Sequence, residues 1–142
     1  MSDKEAIEEF ISKHHVLVLA TLNDEHGVET CSLFYAYDAS QHCFVFASDP
    51  ATHHVQNAMA NPSVAAAIHL ETQEVGKIQG VQIEGSFIQT PSASQKRLYF
   101  KRFPYALAMK PKLWGVRVKR FKYTDNRLGF GTKLIYEPET SL

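Results

Sequence analysis

Two stretches of the chain alternate apolar and polar residues with a period of two, the spacing of a strand that buries one face. Residues 81–87 read VQIEGSF, and residues 114–118 read WGVRV. Beyond the second stretch the apolar phase slips by one residue and resumes at Phe121 and Tyr123. A slip of one residue turns the side chains to the opposite face unless the strand carries an extra residue. The pattern therefore predicts a β-bulge near Lys119–Arg120 in a bent sheet.

Further short apolar runs are bounded by turn residues, so most of the chain is predicted to form strands. Strands are expected at residues 15–22, 28–38, 43–47, 64–70, 81–87 and 114–123, with a last, glycine-interrupted strand at 128–136. Helices are expected at residues 3–13, from the Asp49-Pro50 start to Asn61-Pro62, and from Ser92 to about Arg102. Tight turns favour antiparallel pairing, and closure into a small barrel removes exposed edges. The predicted class is mainly β, a β-barrel of six or seven strands with short helices.

The length and charge of the chain limit the classes of protein to which it can belong. The 142 residues carry 15 basic and 15 acidic side chains, so no net field draws the protein to nucleic acid or an anionic membrane. This length fits a single domain over residues 1–142. The start, MSDKEAIEEF, lacks the layout of a secretory signal, and the longest apolar run, Val16–Leu22, is too short to span a bilayer. We therefore expect a cytoplasmic protein without nucleic-acid or membrane partners.

The two cysteines, Cys31 and Cys43, lack the C-x-x-C spacing of a redox or zinc site. A predicted hairpin that turns at residues 39–41 would place Cys31 opposite about Asp49, and Cys43 near Tyr37. Both cysteines are therefore interpreted as small, reduced and mostly buried side chains.

Two adjacent histidines, His53 and His54, lie near the predicted start of the second helix, in the segment SDPATHHV. Adjacent helical residues point about 100° apart, so the pair cannot face one metal ion, and no metal site is predicted. Ser48, Thr52 and the free amides of a helix start can bind an anion such as phosphate, although the Asp49 carboxylate competes for those amides. The alternative is a pair of solvated histidines at a helix start, and the residues alone leave both interpretations open.

A strip of basic and aromatic residues occupies positions 96–103, KRLYFKRF. Such strips bind nucleic acid in some proteins, through phosphate contacts and base stacking. The same spacing fits one helix with a charged face and an apolar face, and the zero net charge favours this second interpretation. The sequence contains no nucleophile elbow, P-loop or Rossmann glycine pattern, so no catalytic residue is predicted.

The order of elements and several short motifs resemble a known family. A helix ending in ANPSVAAAI is followed by a strand GVQIEGSFIQ, and the C-terminal part reads WGVRVKRFKYTDNRLGFGTKLIY. These features resemble the pyridoxamine-phosphate-oxidase-like, FMN-binding split barrels, which carry Asn-Pro-x-Val after the short helix and a glycine in a later strand. The tail resembles the YhbP-like branch, a group of unassigned activity. The resemblance spans nearly the whole chain and implies a six-stranded antiparallel Greek-key split barrel.

The resemblance also implies a homodimer with two FMN sites in the grooves between the subunits. In relatives the second strand runs beside the flavin ring, which corresponds here to Thr30, Cys31, Ser32, Leu33 and Tyr35. The further implied contacts are Ala47 and Ser48 at the end of the third strand, Thr52, His53 and His54 at the start of the next helix, Gly80 and Gln82 in the fifth strand, and Trp114 from the partner subunit.

The phosphate end departs from the family pattern. Relatives hold the phosphate with an Arg-Lys pair, and counting back from Asn61-Pro62 places His53 and His54 at those positions. Histidines carry charge only when protonated, so phosphate binding should weaken as the pH rises. The implied function is a dimeric FMN-binding oxidoreductase that passes electrons between a reduced nicotinamide or small substrate and an acceptor. The alternative is a non-enzymatic or haem-binding split barrel, since some relatives of this architecture bind haem.

Overall fold

The structure, a computed structural model, describes residues 1–139, so residues 140–142 of the predicted domain lie outside the described part. The described residues form eight strands and three α-helices: α1 (Asp3–Ser12), β1 (Val16–Asn23), β2 (Gly27–Phe34), β3 (Ala36–Asp38), β4 (Cys43–Ala47), α2 (His53–Ala60), β5 (Ser63–His69), β6 (Gln79–Ile88), α3 (Ala93–Arg102), β7 (Leu113–Asp125) and β8 (Lys133–Tyr136). Every strand pair is antiparallel. The predicted mainly β class is confirmed, with eight strands in place of six or seven.

The sheet curls until its two outermost strands meet at Tyr35. The strand order is β2-β1-β5-β6-β7-β4-β3, and only Tyr35 separates the first and last of these in sequence. The Tyr35 hydroxyl donates to the carbonyl of Ile11 at 2.6 Å, and its N–H donates to the carbonyl of His15 at 3.0 Å. Its own carbonyl accepts from Arg102 at 2.8 Å. The single strand expected at 28–38 is therefore wrong, because these bonds break it into β2, which pairs with β1, and β3, which pairs with β4.

The bulge predicted in the long strand β7 is confirmed. Glu84 pairs with Arg120 while the next residue, Gly85, pairs with Val118, so Lys119 is the extra residue. A Cβ atom at Gly85 would lie 2.5 Å from a carbonyl oxygen of β7. The two strands therefore approach closely where β7 bends, and only glycine fits there.

The break between β2 and β3 also changes the surroundings of the cysteines. Cys31 lies opposite Leu19 of β1 and not opposite Asp49, so that part of the hairpin prediction is wrong. Cys43 lies across from the end of β3, beside Tyr37, as expected. Both thiols are free, and burial raises the pKa of each, to about 11 for Cys43. Their interpretation as reduced side chains of the interior is consistent with this.

Helix α2 begins later than predicted. Thr52 is its N-cap residue, and His53 is its first helical residue. The carboxylate of Asp49 accepts from the N–H of Ala51 at 2.7 Å, which closes a turn ahead of the helix. The predicted Asp49-Pro50 start is therefore wrong, because Asp49 stabilises this turn and does not cap the helix.

Helices α1 and α3 begin at the predicted caps. The Ser2 hydroxyl accepts from the N–H of Glu5 at 3.1 Å, and Ser92 forms a full capping box with Gln95. The last strand, β8, is shorter than predicted, because two glycines with positive φ turn the chain ahead of it. The core lies inside the curled sheet, where its aromatic and aliphatic side chains contact α1 and α2.

Candidate functional site

Main-chain groups are available along one edge of β2, which within residues 1–139 pairs only with β1. Directly after β2, the N–H of Tyr35 donates to the carbonyl of His15, which shows which residues of β2 form hydrogen bonds with β1. In an antiparallel ladder every second residue turns its N–H and C=O away from the partner strand. By this alternation the main-chain groups of Thr30, Ser32 and Phe34 point to the open edge. A ligand with donors and acceptors along one side can pair with them.

The five ring positions predicted on this strand have different surroundings. Thr30 and Ser32 are exposed on the outer face of the sheet, whereas Cys31 and Leu33 are half-buried against the core. Tyr35 is fully buried, and its hydroxyl is bonded within the chain. The first four positions therefore lie on one strand, with Thr30 and Ser32 at its open edge, and the side chain of Tyr35 lies apart from them in the core.

A polar cluster forms where β4 ends and α2 begins. The Ser48 hydroxyl lies 2.5 Å from Nε2 of His54, and the Thr52 hydroxyl lies 3.3 Å from the same nitrogen. Thr52 donates its proton to the carbonyl of Asp49 at 2.8 Å. Burial lowers the pKa of His54, which favours the neutral ring. In the tautomer protonated at Nδ1, Nε2 accepts a hydrogen bond from Ser48. The predicted positions Ser48, Thr52 and His54 thus come together, next to Ala47 at the end of β4.

Trp114 lies beside this cluster in the same chain. Its indole N–H donates to the carbonyl of Ser48 at 2.9 Å, and its ring stacks on Phe87 with the centroids 5.4 Å apart. The N–H of Ser48 donates to the carbonyl of Lys112 at 3.1 Å, and the Lys112 ammonium lies 5.2 Å from the centre of the Trp114 ring. Trp114 therefore positions Ser48 of its own chain. Lys112, which sequence reasoning missed, adds a cation next to the Trp114 ring.

His53 points away from His54, toward β2. Its Nδ1 lies 3.4 Å from Oε2 of Glu29, and its side chain is 77% exposed. Oε1 of Glu29 accepts from the side-chain amide of Asn57 at 3.0 Å, and this bond holds the pKa of the carboxyl below its usual range. The two histidines therefore have different partners, and an ionised carboxylate stands beside the first of them.

Glu29 belongs to a polar network that sequence reasoning missed. The buried amide of Asn57 also donates to the Thr21 hydroxyl at 3.1 Å, and its oxygen accepts from Asn23 at 2.9 Å. A signal for this network was present, because Glu29 lies on the same face of β2 as the half-buried Cys31. A charge on the inward face of a strand needs partners, and here α2 supplies them.

Gly80 and Gln82 lie on the outer side of β6, opposite His69 and Ala67 of β5. Strands β5 and β1 separate them from the open edge of β2. They are also at the end of β6 remote from the start of β7, where Trp114 lies. Within one chain, therefore, the structure does not bring these two residues to the other predicted contacts.

The outer face of β1 and β5 is built mostly from small and apolar side chains. Across the sheet, Ser32 aligns with Val18, Ala67 and the polar Gln82, and Thr30 aligns with Ala20, Ala65 and the charged Glu84. Exposed apolar residues, among them Val28 and Phe34, extend it. Such a face is typical of surfaces that pack against another protein surface.

Several cavities flank the barrel, and two of them contain candidate ligand-binding histidines. One, of about 600 Å³, lies between the β1–β2 turn and α2 and is lined in part by His53 and Asn57. The other, of about 670 Å³, lies against α1 and is lined in part by Phe10, His14 and Tyr123.

Among residues 1–139 no three His, Cys, Asp or Glu side chains converge to hold a metal ion. No helix in this part of the chain is both long and apolar enough to cross a bilayer.

Curated relatives cover most of the chain, although no family model matches it. The chain is 37% identical over 131 residues to the UPF0306 protein Cj1449c of Campylobacter jejuni, which covers 92% of this chain and 95% of the relative. It is 35% identical over 132 residues to a UPF0306 protein of Enterobacter sp., covering 91% and 92%. The UPF0306 protein YhbP of Salmonella paratyphi A is 32% identical over 132 residues, covering 91% and 89%.

Solved structures share the fold at low sequence identity. A heme binding protein from Mycobacterium smegmatis has a TM-score of 0.80 at 18% identity, covering 96% of this chain and 58% of that chain. A FAD-binding protein from Mesorhizobium loti has a TM-score of 0.69 at 16% identity, covering 85% and 90%. A protein of the pyridoxinephosphate oxidase family from Clostridium acetobutylicum has a TM-score of 0.66 at 13% identity, covering 96% of both chains. The chain therefore belongs to the UPF0306 family and has the pyridoxamine-phosphate-oxidase-like split-barrel fold.

Proposed function

We propose that this protein binds a flavin, FMN, between the open edge of β2 and the start of α2, and that it acts as a dimeric oxidoreductase. The observation that carries the proposal is the position of the unpaired main-chain groups of Thr30 and Ser32 next to a helix start. Nδ1 of His53 in α2 lies 3.4 Å from the carboxylate of Glu29 in β2, so the start of α2 lies beside this strand. The FAD-binding protein from Mesorhizobium loti, which shares the fold, supports a flavin as the ligand.

The main-chain groups of β2 fit the ring end of a flavin. The pyrimidine side of a flavin ring carries one N–H donor between two carbonyl acceptors. The N–H and C=O groups of Thr30 and Ser32 offer the complementary pattern and would orient the ring. Cys31 and Leu33, which lie between and after them, support the strand from the core side. When bound, the flavin supplies the hydride chemistry.

The residues around the start of α2 fit the phosphate group of FMN less closely than β2 fits the ring. Ser48 and Thr52 supply hydroxyl groups, and His54 supplies a positive charge when it is protonated. Lys112 adds a permanent cation beside Trp114, next to Ser48. We therefore assign the phosphate to His54 and the two hydroxyls, with an affinity that depends on pH.

A second copy of the chain would complete the site. The small side chains on the outer face of β1 and β5 allow a close approach of another sheet. Gly80 and Gln82 lie on this outer side, where they can contact a ligand held by the partner but not one held by their own β2. This arrangement supports a homodimer with the ligand between the subunits. Its location in the cytoplasm stays a prediction.

The proposed reaction is the passage of electrons from a reduced nicotinamide or a small substrate, through the flavin, to an acceptor. No acid or base in the chain is assigned to this reaction. The roles given to the protein are to bind the ring, to orient it and to hold the phosphate.

Equilibrium titration of FMN fluorescence with purified protein at about pH 6 tests this proposal. The wild type should quench FMN with one flavin per chain, and a Ser48→Ala, His54→Ala double variant should bind it at least about ten-fold more weakly. His15→Ala, at an exposed histidine, is the matched control and should bind like the wild type. Absence of quenching by the wild type would reject the proposal.

A second candidate function is haem binding. The cavity of about 670 Å³ against α1 is lined mainly by apolar groups, and it contains the half-buried imidazole of His14. Burial lowers the pKa of His14, which keeps the ring neutral and able to ligate iron. The heme binding protein from Mycobacterium smegmatis shares the fold. Addition of haemin should give a Soret band that His14→Ala removes and His15→Ala keeps; an unchanged haemin spectrum would exclude this candidate.

A further inference from the structure

We propose that Glu29 is a specificity-determining residue of the flavin site, where its charge lowers the affinity for the phosphate group of FMN and favours the hydroxyl groups of the ribityl chain. This inference rests on the proposed function, because it concerns how the same site discriminates between FMN and riboflavin.

The carboxylate of Glu29 is held in the gap between β2 and α2. It accepts from the Asn57 amide at 3.0 Å on one oxygen and lies 3.4 Å from His53 on the other. Asn57 is itself fixed, since it is 5% exposed and bonded to both Thr21 and Asn23. Rotation of Glu29 out of the gap would leave a buried amide proton unpaired, which is unfavourable. The charge therefore stays where it is.

A ligand that lies along β2 must extend its side chain past this charge to reach α2. The first turn of α2 contains no lysine or arginine, and the carboxylate of Asp49 lies just before it. His53 offsets the charge of Glu29 only when it is protonated. A phosphate dianion held near a fixed carboxylate is repelled, which we expect to reduce affinity on the order of ten-fold.

The hydroxyl groups of a ribityl chain interact with a carboxylate in the opposite way. Each is a donor, and an ionised carboxylate accepts several hydrogen bonds at once. Glu29 is 30% exposed, so part of its acceptor capacity remains free. The same residue that repels a phosphate can therefore bind the neutral chain that precedes it.

Substitution Glu29→Gln separates this role from a structural one. The variant keeps an oxygen that accepts from Asn57, and it removes only the charge. If Glu29 merely supports α2, the affinities for both flavins will change together or not at all. If it sets specificity, the ratio of the two dissociation constants will change.

The experiment is a pair of fluorescence titrations, with riboflavin and with FMN, of the wild type, Glu29→Gln and the control Glu25→Gln. Glu25 lies in the adjacent turn with an exposed side chain, so its loss tests for a general charge effect. Glu29→Gln should bind FMN on the order of ten-fold more tightly and riboflavin within about two-fold of the wild type. The control should keep the wild-type ratio.

Salt supplies a second measurement. It screens the charge of Glu29 together with the charges of His54 and Lys112, so FMN binding should weaken with ionic strength less in the wild type than in Glu29→Gln, and riboflavin binding should stay nearly constant in both. An unchanged ratio of the two dissociation constants in Glu29→Gln, or the same salt dependence of FMN binding in both proteins, would overturn the inference while flavin binding itself would stand. Failure of the wild type to bind either flavin would overturn the proposed function and this inference together.

Discussion

The Ser48 hydroxyl and Nε2 of His54 lie 2.5 Å apart and join the end of β4 to the start of α2. Burial lowers the pKa of His54, since desolvation penalises the charged ring. A neutral ring can accept a hydrogen bond from the Ser48 hydroxyl at Nε2, whereas a protonated ring donates to the hydroxyl oxygen and carries a positive charge that attracts an anion. One histidine therefore couples the stability of the helix start and the binding of a phosphate to pH.

Protonation of His54 should reduce the stability of the fold. Its folded pKa lies below the ordinary value of 6.5, so the unfolded chain takes up this proton first as the pH falls. The free energy of unfolding should be fully retained above about pH 6.5 and should decrease below it. Urea unfolding between about pH 8 and about pH 5 measures this decrease.

The His54→Gln variant should lose less stability over the same pH range. Part of the decrease should remain, because burial also lowers the pKa of His14. His26→Gln, at an exposed position, should behave as the wild type. Identical pH profiles for the wild type and His54→Gln would show that His54 does not take part.

The same protonation should strengthen the binding of FMN. Positive charge on His54 favours the phosphate, so the dissociation constant for FMN should be about three-fold lower at about pH 6 than at about pH 8. Riboflavin has no phosphate and should bind with little pH dependence. Fluorescence titration at both pH values measures this, and a His54→Ala variant that keeps the FMN pH dependence would contradict the assignment.

Substitution Gly85→Ala should destabilise the fold at the bulge. The new Cβ would lie 2.5 Å from the carbonyl oxygen of Arg117 and 2.8 Å from a methyl carbon of Val116, so the two strands would have to separate. We expect a loss of about 1–3 kcal/mol in the free energy of unfolding, measured in urea. Gly76→Ala is the control, because nothing lies within 4 Å of its Cβ position. Equal stability of the two variants would contradict the close approach.

Arg102 should contribute to stability although it lies in a basic strip. Its guanidinium donates to the carbonyls of Tyr35 and His14, at the point where the barrel closes. Arg102→Ala should therefore lower the free energy of unfolding by about 2 kcal/mol, because it leaves two main-chain acceptors unpaired. The exposed Arg97 provides the comparison, and Arg97→Ala should stay within about 0.5 kcal/mol of the wild type. Similar losses for both would reject a closure role for Arg102.

Substitution Ser32→Pro should separate flavin binding from folding. The N–H of Ser32 faces the open edge of β2, so its removal leaves the ladder with β1 intact. Flavin affinity should fall at least about ten-fold while the free energy of unfolding changes little. Cys31→Pro removes an N–H that pairs with Leu19 and should unfold the strand. Unchanged flavin affinity in Ser32→Pro would exclude the edge as the ring site.

The sequence predicted features that local patterns determine, and it missed those set by distant contacts. The phase slip after Val118 located the bulge, because strand periodicity is a local property. The break at Tyr35 was missed, since its cause is a set of bonds to Ile11 and Arg102, which are remote in sequence. Residues 28–38 contain no turn signal that would mark it.

The candidate site also combines features that the local sequence predicts with features that distant contacts determine. The cluster at Ser48 could be predicted because the segment lies just ahead of a short helix. The Glu29 network depends on how α2 packs over β1 and β2, which periodicity does not determine. Gly80 and Gln82 were predicted by resemblance alone, and their place on the outer sheet face is informative only if a second copy is present.

Cofactor analysis of the protein as first isolated tests the flavin-binding account most directly. Absorbance spectroscopy followed by mass spectrometry of the released ligand identifies what the site holds. If a bound flavin dissociates during purification, titration with riboflavin and FMN at about pH 6 will still detect the site. The account predicts a flavin spectrum, or saturable binding of one flavin per chain that Ser32→Pro weakens. A colourless protein that binds neither flavin would contradict it.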